Sequence, residues 1–126
     1  MRYLADTNIW LWWLNGSPRL KPAVKRVIED GHDQVWVSVV SGWEVAIKTK
    51  RNPLFRLKAS IKECFELARM PILELKLNHV LQAEDLPLHH KDPFDRMLVC
   101  QAMTEDLTLI TADSKLEKYQ VKLLKA

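Results

Sequence analysis

Five carboxylates in this chain stand at or near the start of a helix-like pattern, three of them close behind a strand-like run. Asp6 separates "YLA" from "TNIWLWWL", and Glu44 lies a few residues past "VWVS". Asp92 and Asp95 flank Pro93 and Phe94 in "KDPFDR", and Asp113 follows "LTLIT" by two residues. Carboxylates brought together from distant parts of a chain raise one another's pKa and repel. A hard divalent cation relieves that repulsion, and Mg2+ takes a few carboxylates, water and substrate phosphate oxygens as ligands. The chemistry such a set would do is metal-dependent phosphoryl chemistry, provided the fold gathers the acids in one place.

The elements that must position them can be read from period and punctuation. Strands are expected at 2–5, 35–38, 72–75 and 107–111, with a last edge strand at 121–124. Between them lie helical patterns: Thr7 to Leu14; Leu20, Ala23, Val24, Val27 and Ile28, with Gly31 as C-cap; Val39 to about Arg51, stopped by "RNP"; and Ile61, Cys64, Phe65 and Ala68. A short helix runs from Asn78 towards Pro87. Asp92 as N-cap and Pro93 at the first position open the strongest helix signal, and Ser114 to Tyr119 form a short one. Strands alternating with helices imply an α/β, three-layer sandwich: a short parallel sheet of four to five strands with helices on both faces. No linker or repeat is visible, so residues 1–126 are expected to form a single domain. In such sheets ligands bind beyond the C-terminal ends of the strands, the rim on which all five acids are expected.

Each acid also has a purely local explanation. Asp6 can cap the helix after it, although Thr7 and Asn8 offer alternatives. Ser41 and Glu44 fit a capping box, unless the helix begins earlier, near Ser38. Asp92 before Pro93 reads best as an N-cap, Asp95 gains from the helix dipole, and Asp113 can cap "SKLEKY". These accounts do not explain why nearly every strand-to-helix seam on one rim carries an acid.

Composition sets further limits. The 126 residues carry a formal net charge of +3, too mild to imply nucleic acid by itself. Cys64 and Cys100 fall in apolar helical patterns and read as buried reduced thiols, consistent with a cytoplasmic protein. The N-terminal segment lacks the form of a signal peptide, and Ile9 to Leu14 is too short to span a bilayer, so no membrane association is expected. Lys48, Lys50, Arg51, Arg56, Lys58 and Lys62 form an acid-free basic stretch. It is either a solvated helix end or a phosphate-contact surface beside the acids. His89 and His90 read as loop residues, since an oxygen-ligand site needs no histidine. Trp10, Trp12, Trp13, Trp36 and Trp43 offer faces for base stacking, but a core or interface role fits them better. Trp10, Trp12 and Trp13 share one short helix and cannot all enter a small core, so at least one is expected at a protein–protein interface.

Taken in order, "LADTNIWLWWL", "VSVVSGWEVAIKTKR", "LPLHHKDPFDRMLVCQA" and "LTLITADSKLEKYQVKLL" resemble the PIN domain, and more narrowly the VapC-type toxins of type II toxin–antitoxin systems. The resemblance spans nearly the whole chain. It implies an acidic quartet of Asp6, Glu44, Asp95 and Asp113, with Mg2+ or Mn2+ held by Asp6, Asp95 and Asp113. Thr7, Asn8, Asp92 and Thr111 would be supporting polar residues, and Lys48, Lys50, Arg51 and Arg96 RNA contacts. The implied activity is endoribonuclease cleavage by a metal-activated water, leaving a 5′-phosphate and a 3′-hydroxyl. The implied partners are an RNA substrate, a VapB-type antitoxin and a second copy in a homodimer, alone or within a larger toxin–antitoxin assembly. Two other classes remain open. An aspartyl-phosphate phosphatase would want a second acid where Asn8 stands, and in a non-catalytic interaction module the acids would be caps alone.

Overall fold

The computed structural model describes residues 1–30, 34–51 and 59–126. Among them, β1 (Arg2–Ala5), β2 (Gln34–Ser38), β3 (Ile72–Leu73), β4 (Thr108–Thr111) and β5 (Leu123–Lys125) form one parallel sheet in the order β3-β2-β1-β4-β5. The helices are α1 (Thr7–Asn15), α2 (Pro22–Glu29), α3 (Val39–Arg51), α4 (Ile61–Ala68), α5 (Leu77–Asp85) and α6 (Pro93–Glu105), with a 3-10 helix at Ser114–Lys118. From β1 the chain builds outward through β2 to β3, then returns to lay β4 on the other side of β1. The direction of winding therefore reverses between β1 and β4, and a crevice is expected at that switch point.

Alternation along the strands divides the core into two layers. Tyr3, Ala5, Val35, Val37 and Ile110 face α1, α2 and α4, where Ile9, Trp10, Val24, Cys64 and Ala68 are buried. Leu4 and Leu109 face the opposite way, onto Leu98, Val99, Ala102 and Leu116 of α6 and the 3-10 helix. Full burial of a Leu or Ile side chain is worth about 1.5–3 kcal/mol each, so these two layers dominate the stability. Both cysteines are free thiols and buried.

Gly42 sets how closely α3 approaches α4. A Cβ there would lie 2.7 Å from the Phe65 ring, and that ring stacks on Trp10 at 4.8 Å between centroids. Ser38 closes β2 and starts α3: its hydroxyl accepts the Val40 N–H and donates to Gln101 Oε1 at 2.6 Å. The helix thus begins at Val39, and the capping-box reading of Ser41 with Glu44 is not adopted. The third strand is shorter than the pattern 72–75 suggests, because the Glu74 carbonyl accepts from the Gln101 side chain instead of extending the ladder. The expected Gly31 C-cap, the "NP" stop after α3, and Arg56 and Lys58 lie outside the described residues.

Candidate active site

The rim at the β1/β4 switch is assembled from four seams. β1 ends directly in Asp6, whose N–H continues the sheet by donating to Ile110 O at 3.0 Å. Its Oδ1 caps α1 by accepting the Ile9 N–H at 2.9 Å. Asp92 caps α6, accepting from Phe94 N–H at 2.8 Å and Asp95 N–H at 3.2 Å, and so places Asp95 in the first turn. Asp113 caps the 3-10 helix through the Lys115 N–H. The capping accounts of Asp6, Asp92 and Asp113 are therefore all realised. They do not compete with a site, because each cap engages one oxygen of a carboxylate that has two.

Glu44 is held differently. It is buried on α3, and its Oε1 accepts from the Thr7 hydroxyl at 2.6 Å. Thr7 Oγ1 lies 2.9 Å from Ser41 Oγ. Thr7 has one proton and the carboxylate can only accept, so Ser41 donates to Thr7 and Thr7 to Glu44. The second Glu44 oxygen pairs with Lys48 Nζ, one helical turn on. Burial depresses the Lys48 ammonium, but Glu44, Asp92 and Asp95 outweigh it and hold its pKa above the ordinary value. Lys50 and Arg51 are exposed at the end of α3.

The electrostatics follow from burial and like charge. Desolvation lifts the Asp6 carboxyl to about 6, aided by Glu44 and Asp113 and opposed by hydrogen bonds from Thr111 and Ile9. Asp95 is pushed to about 7 by burial, then by Asp92, Glu44 and Asp6, with His90 opposing. Asp113 goes the other way: partial burial raises it, but the Lys115 N–H and His90 hold it below the usual carboxylate range. Thr111 ties the rim together, since its hydroxyl faces Asp6 and accepts the Asp113 N–H at 3.0 Å.

His90 is the residue that sequence reasoning assigned to a loop and left out of the site. Its Nε2 lies 2.8 Å from Asp113 Oδ2 and 3.6 Å from Asp95 Oδ2. His90, Asp95 and Asp113 offer one donor atom each within 4.8 Å of one another, the spacing of ligands around a single ion. The Nδ1 atom accepts the Asp92 N–H at 2.9 Å, so in the neutral ring the proton sits on Nε2 and points at Asp113. With that proton in place His90 orients the Asp113 carboxylate; Asp95 and Asp113 supply the oxygen donors of this cluster, the kind a hard divalent cation prefers, and Asp6 acts on both through its charge. The only sequence signal for this was the proximity of "HH" to "KDP".

The other expected residues separate. Thr7, Asp92 and Thr111 join the hydrogen-bonded rim, whereas Asn8 is exposed, and no hydrogen bond among the described residues ties it to the acids. Arg96 clamps the loop before α6: it donates to Pro87 O at 2.8 Å, Tyr119 Oη at 3.0 Å and Leu86 O at 3.2 Å. The Tyr119 oxygen also accepts the His89 and His90 N–H groups. Arg96 thus has a loop-shaping task that its charge did not reveal. Trp10 is fully buried, Trp12 and Trp13 are half-buried against the same layer, and Trp43 is exposed.

Similar architecture occurs in known structures. The chain matches VapBC2 from Rickettsia felis, solved bound to a DNA fragment from its promoter, with a TM-score of 0.74 and 16% identity, covering 99% of this chain and 98% of that one. It matches DNA-bound VapBC from Salmonella typhimurium with a TM-score of 0.69 and 11% identity, at 99% and 98% coverage. A toxin–antitoxin complex from Klebsiella pneumoniae gives 0.66 and 18% identity, at 98% and 96% coverage. These likenesses establish a shared fold. No curated protein sequence matches the chain. The family model of the PIN domain matches residues 3–122, a span that takes in strands β1 to β4 from Tyr3 on and both helical layers, and the chain belongs to the PIN-domain family.

Proposed function

We propose that residues 1–126 form one PIN domain acting as a metal-dependent endoribonuclease toxin of the VapC type, neutralised by a VapB-type antitoxin. PIN domains are generally nucleases that depend on divalent metal ions. The observation that carries the reading is the meeting of Asp6, Glu44, Asp95 and Asp113 at the β1/β4 switch, with Asp6 and Asp95 kept above ordinary carboxylate pKa values largely by burial and by neighbouring acids. Asp6, Asp95 and Asp113 would hold Mg2+ or Mn2+, which supplies Lewis-acid activation of water and neutralises charge on the phosphate oxygens. Glu44, fixed by Thr7 and Lys48, would complete the metal's shell or orient the attacking water. Thr111 and His90 hold Asp113 in position, and Asp92 holds the start of α6 so that Asp95 faces the same space. Lys50 and Arg51, and Lys48 beside Glu44, would attract the polyanion to an otherwise negative centre.

The antitoxin partner, the homodimer and any larger assembly are inferred by analogy with the toxin–antitoxin complexes that share the fold. Charge at the rim supports that analogy, since a basic segment of a partner would find the same unneutralised carboxylates that attract a metal. The test is cleavage of a single-stranded RNA pool by the purified chain. Cleavage should require Mg2+ or Mn2+, stop with EDTA, and leave 5′-phosphate and 3′-hydroxyl ends. Cyclic phosphate ends, or cleavage unaffected by chelation, would overturn the reading.

A further inference from the structure

Among the described residues, several of the large apolar side chains left in solvent lie on β3 and α5: Ile72, Leu77, Val80 and Leu81. Trp43 is different. It is 60% exposed although its neighbours on both sides are buried. Gly42 turns inward against Phe65 and Glu44 turns into the rim, so the 100° step of the helix sends Trp43 outward between them. Its ring meets Phe94 edge to face, with centroids 5.1 Å apart and planes at 81°. Phe94 is itself fixed by the bond from its N–H to Asp92 and is followed by Asp95. The indole therefore stands on the lip between α3 and α6, one residue from Glu44 on one side and one contact from the Asp95 turn on the other. Edge-to-face packing on Phe94 covers at most one face of the indole, and the residue stays 60% exposed.

We propose that Trp43 is a stacking platform for a base of single-stranded RNA, placed next to the phosphodiester held at the acidic rim. A single flat ring bordered by carboxylates on one side and by exposed Lys50 and Arg51 further along α3 matches a nucleotide, which has a π face and an anionic backbone. It matches an extended apolar protein surface poorly. Stacking of this kind tolerates any base, so Trp43 would contribute affinity and register, with little sequence preference.

The inference rests on the nuclease reading, and the experiment separates the two. Binding of short labelled RNAs of uridine, adenosine or mixed sequence is followed by anisotropy in an Asp95→Asn background, so that the RNA survives. Trp43→Leu should weaken binding roughly tenfold, and Trp43→Phe, which keeps a ring, should restore most of it. One abasic nucleotide in the RNA should cost the Asp95→Asn protein as much as adding Trp43→Leu does, and cost the Asp95→Asn, Trp43→Leu protein nothing more. In the active protein Trp43→Leu should raise KM far more than it lowers kcat. Equal RNA binding by Trp43→Leu, with thermal melts showing both variants folded, overturns the platform. So does unchanged RNA binding with loss of self-association, which would make the ring a protein interface. Trp43-dependent binding without any cleavage by the parent protein would retire the nuclease reading and leave the platform standing.

Discussion

Helix α6 carries an acid near each end, and the two are treated in opposite ways. Asp95, in the first turn, sits where the helix dipole should lower its pKa; Glu105, the last residue, sits where the dipole should raise it. The reverse is found. Burial and then Asp92, Glu44 and Asp6 lift Asp95 to about 7. Burial also pushes Glu105 up, but Lys76 at 3.3 Å and His79 at 3.3 Å more than offset it, and its pKa falls below the ordinary value. Tertiary neighbours outweigh the dipole at both ends. Around Glu105 the chain supplies Lys76 and His79; around Asp95 it supplies Asp92, Glu44 and Asp6, which His90 only partly opposes, and accepts the cost in stability. Carboxyl groups held above their ordinary pKa by burial and by neighbouring acids point to a functional site.

The comparison is broken most directly at Asp95. Asp95→Asn should reduce RNA cleavage by at least about a hundredfold, the order of effect of losing one electrostatic stabiliser at a reacting centre. It should also leave the metal-free protein as stable as before or more so, because it removes one of several like charges. Cleavage rates and urea melts at about pH 8 measure the two. An active Asp95→Asn protein would remove Asp95 from the machinery.

A second effect separates the two ends by pH. Asp6 and Asp95 have folded-state values of about 6 and about 7, above the ordinary aspartate value of 3.8. A group raised in this way binds its proton more tightly in the folded state, so its contribution to stability grows as pH falls through the folded value. The metal-free protein should therefore melt at higher temperature near pH 5 than near pH 8. Asp113 and Glu105 are depressed, so their contributions are lost only as pH falls below the ordinary carboxylate range, outside that window. Ligating carboxylates must be deprotonated, so the rise in Tm on adding Mn2+ should be larger near pH 8 than near pH 5. A Tm that falls steadily from pH 8 to pH 5 without metal would contradict the burial of like charges at the rim.

What the sequence disclosed divides along a physical line. The strands, the helix starts at Thr7, Val39, Ile61 and Pro93, and the placing of Asp6, Glu44, Asp92, Asp95 and Asp113 on one rim rest on periodicity and local punctuation, which a sequence displays directly; the quartet without Asp92 came from the family resemblance. β3 came out shorter because a distant side chain, Gln101, takes the Glu74 carbonyl. His90 and Tyr119 escaped notice for the same reason: their partners lie 23 and 30 residues away, at Asp113 and His89. The orientation of Trp43 depended on Gly42 meeting Phe65, again a contact between helices. Long-range side-chain pairing leaves no period in a sequence, and the roles it assigns became readable only in the fold.

The smallest effect belongs to the paired end of α6. Glu105→Gln keeps an oxygen that can accept from Lys76 and His79 and removes only the charge. The Lys76 side chain is 58% exposed and that of Glu105 23% exposed, so water screens much of the attraction and the pair should be worth about 0–1 kcal/mol. Near pH 7 the variant should melt slightly earlier than the parent and cleave RNA equally well. Because the folded-state pKa of Glu105 is depressed, the parent loses this contribution as pH falls through that value. The two melting curves should then converge at acid pH. A gap that instead persists or widens in acid would mean that Glu105 acts through geometry and not charge, and the contrast between the two ends of α6 would no longer be electrostatic.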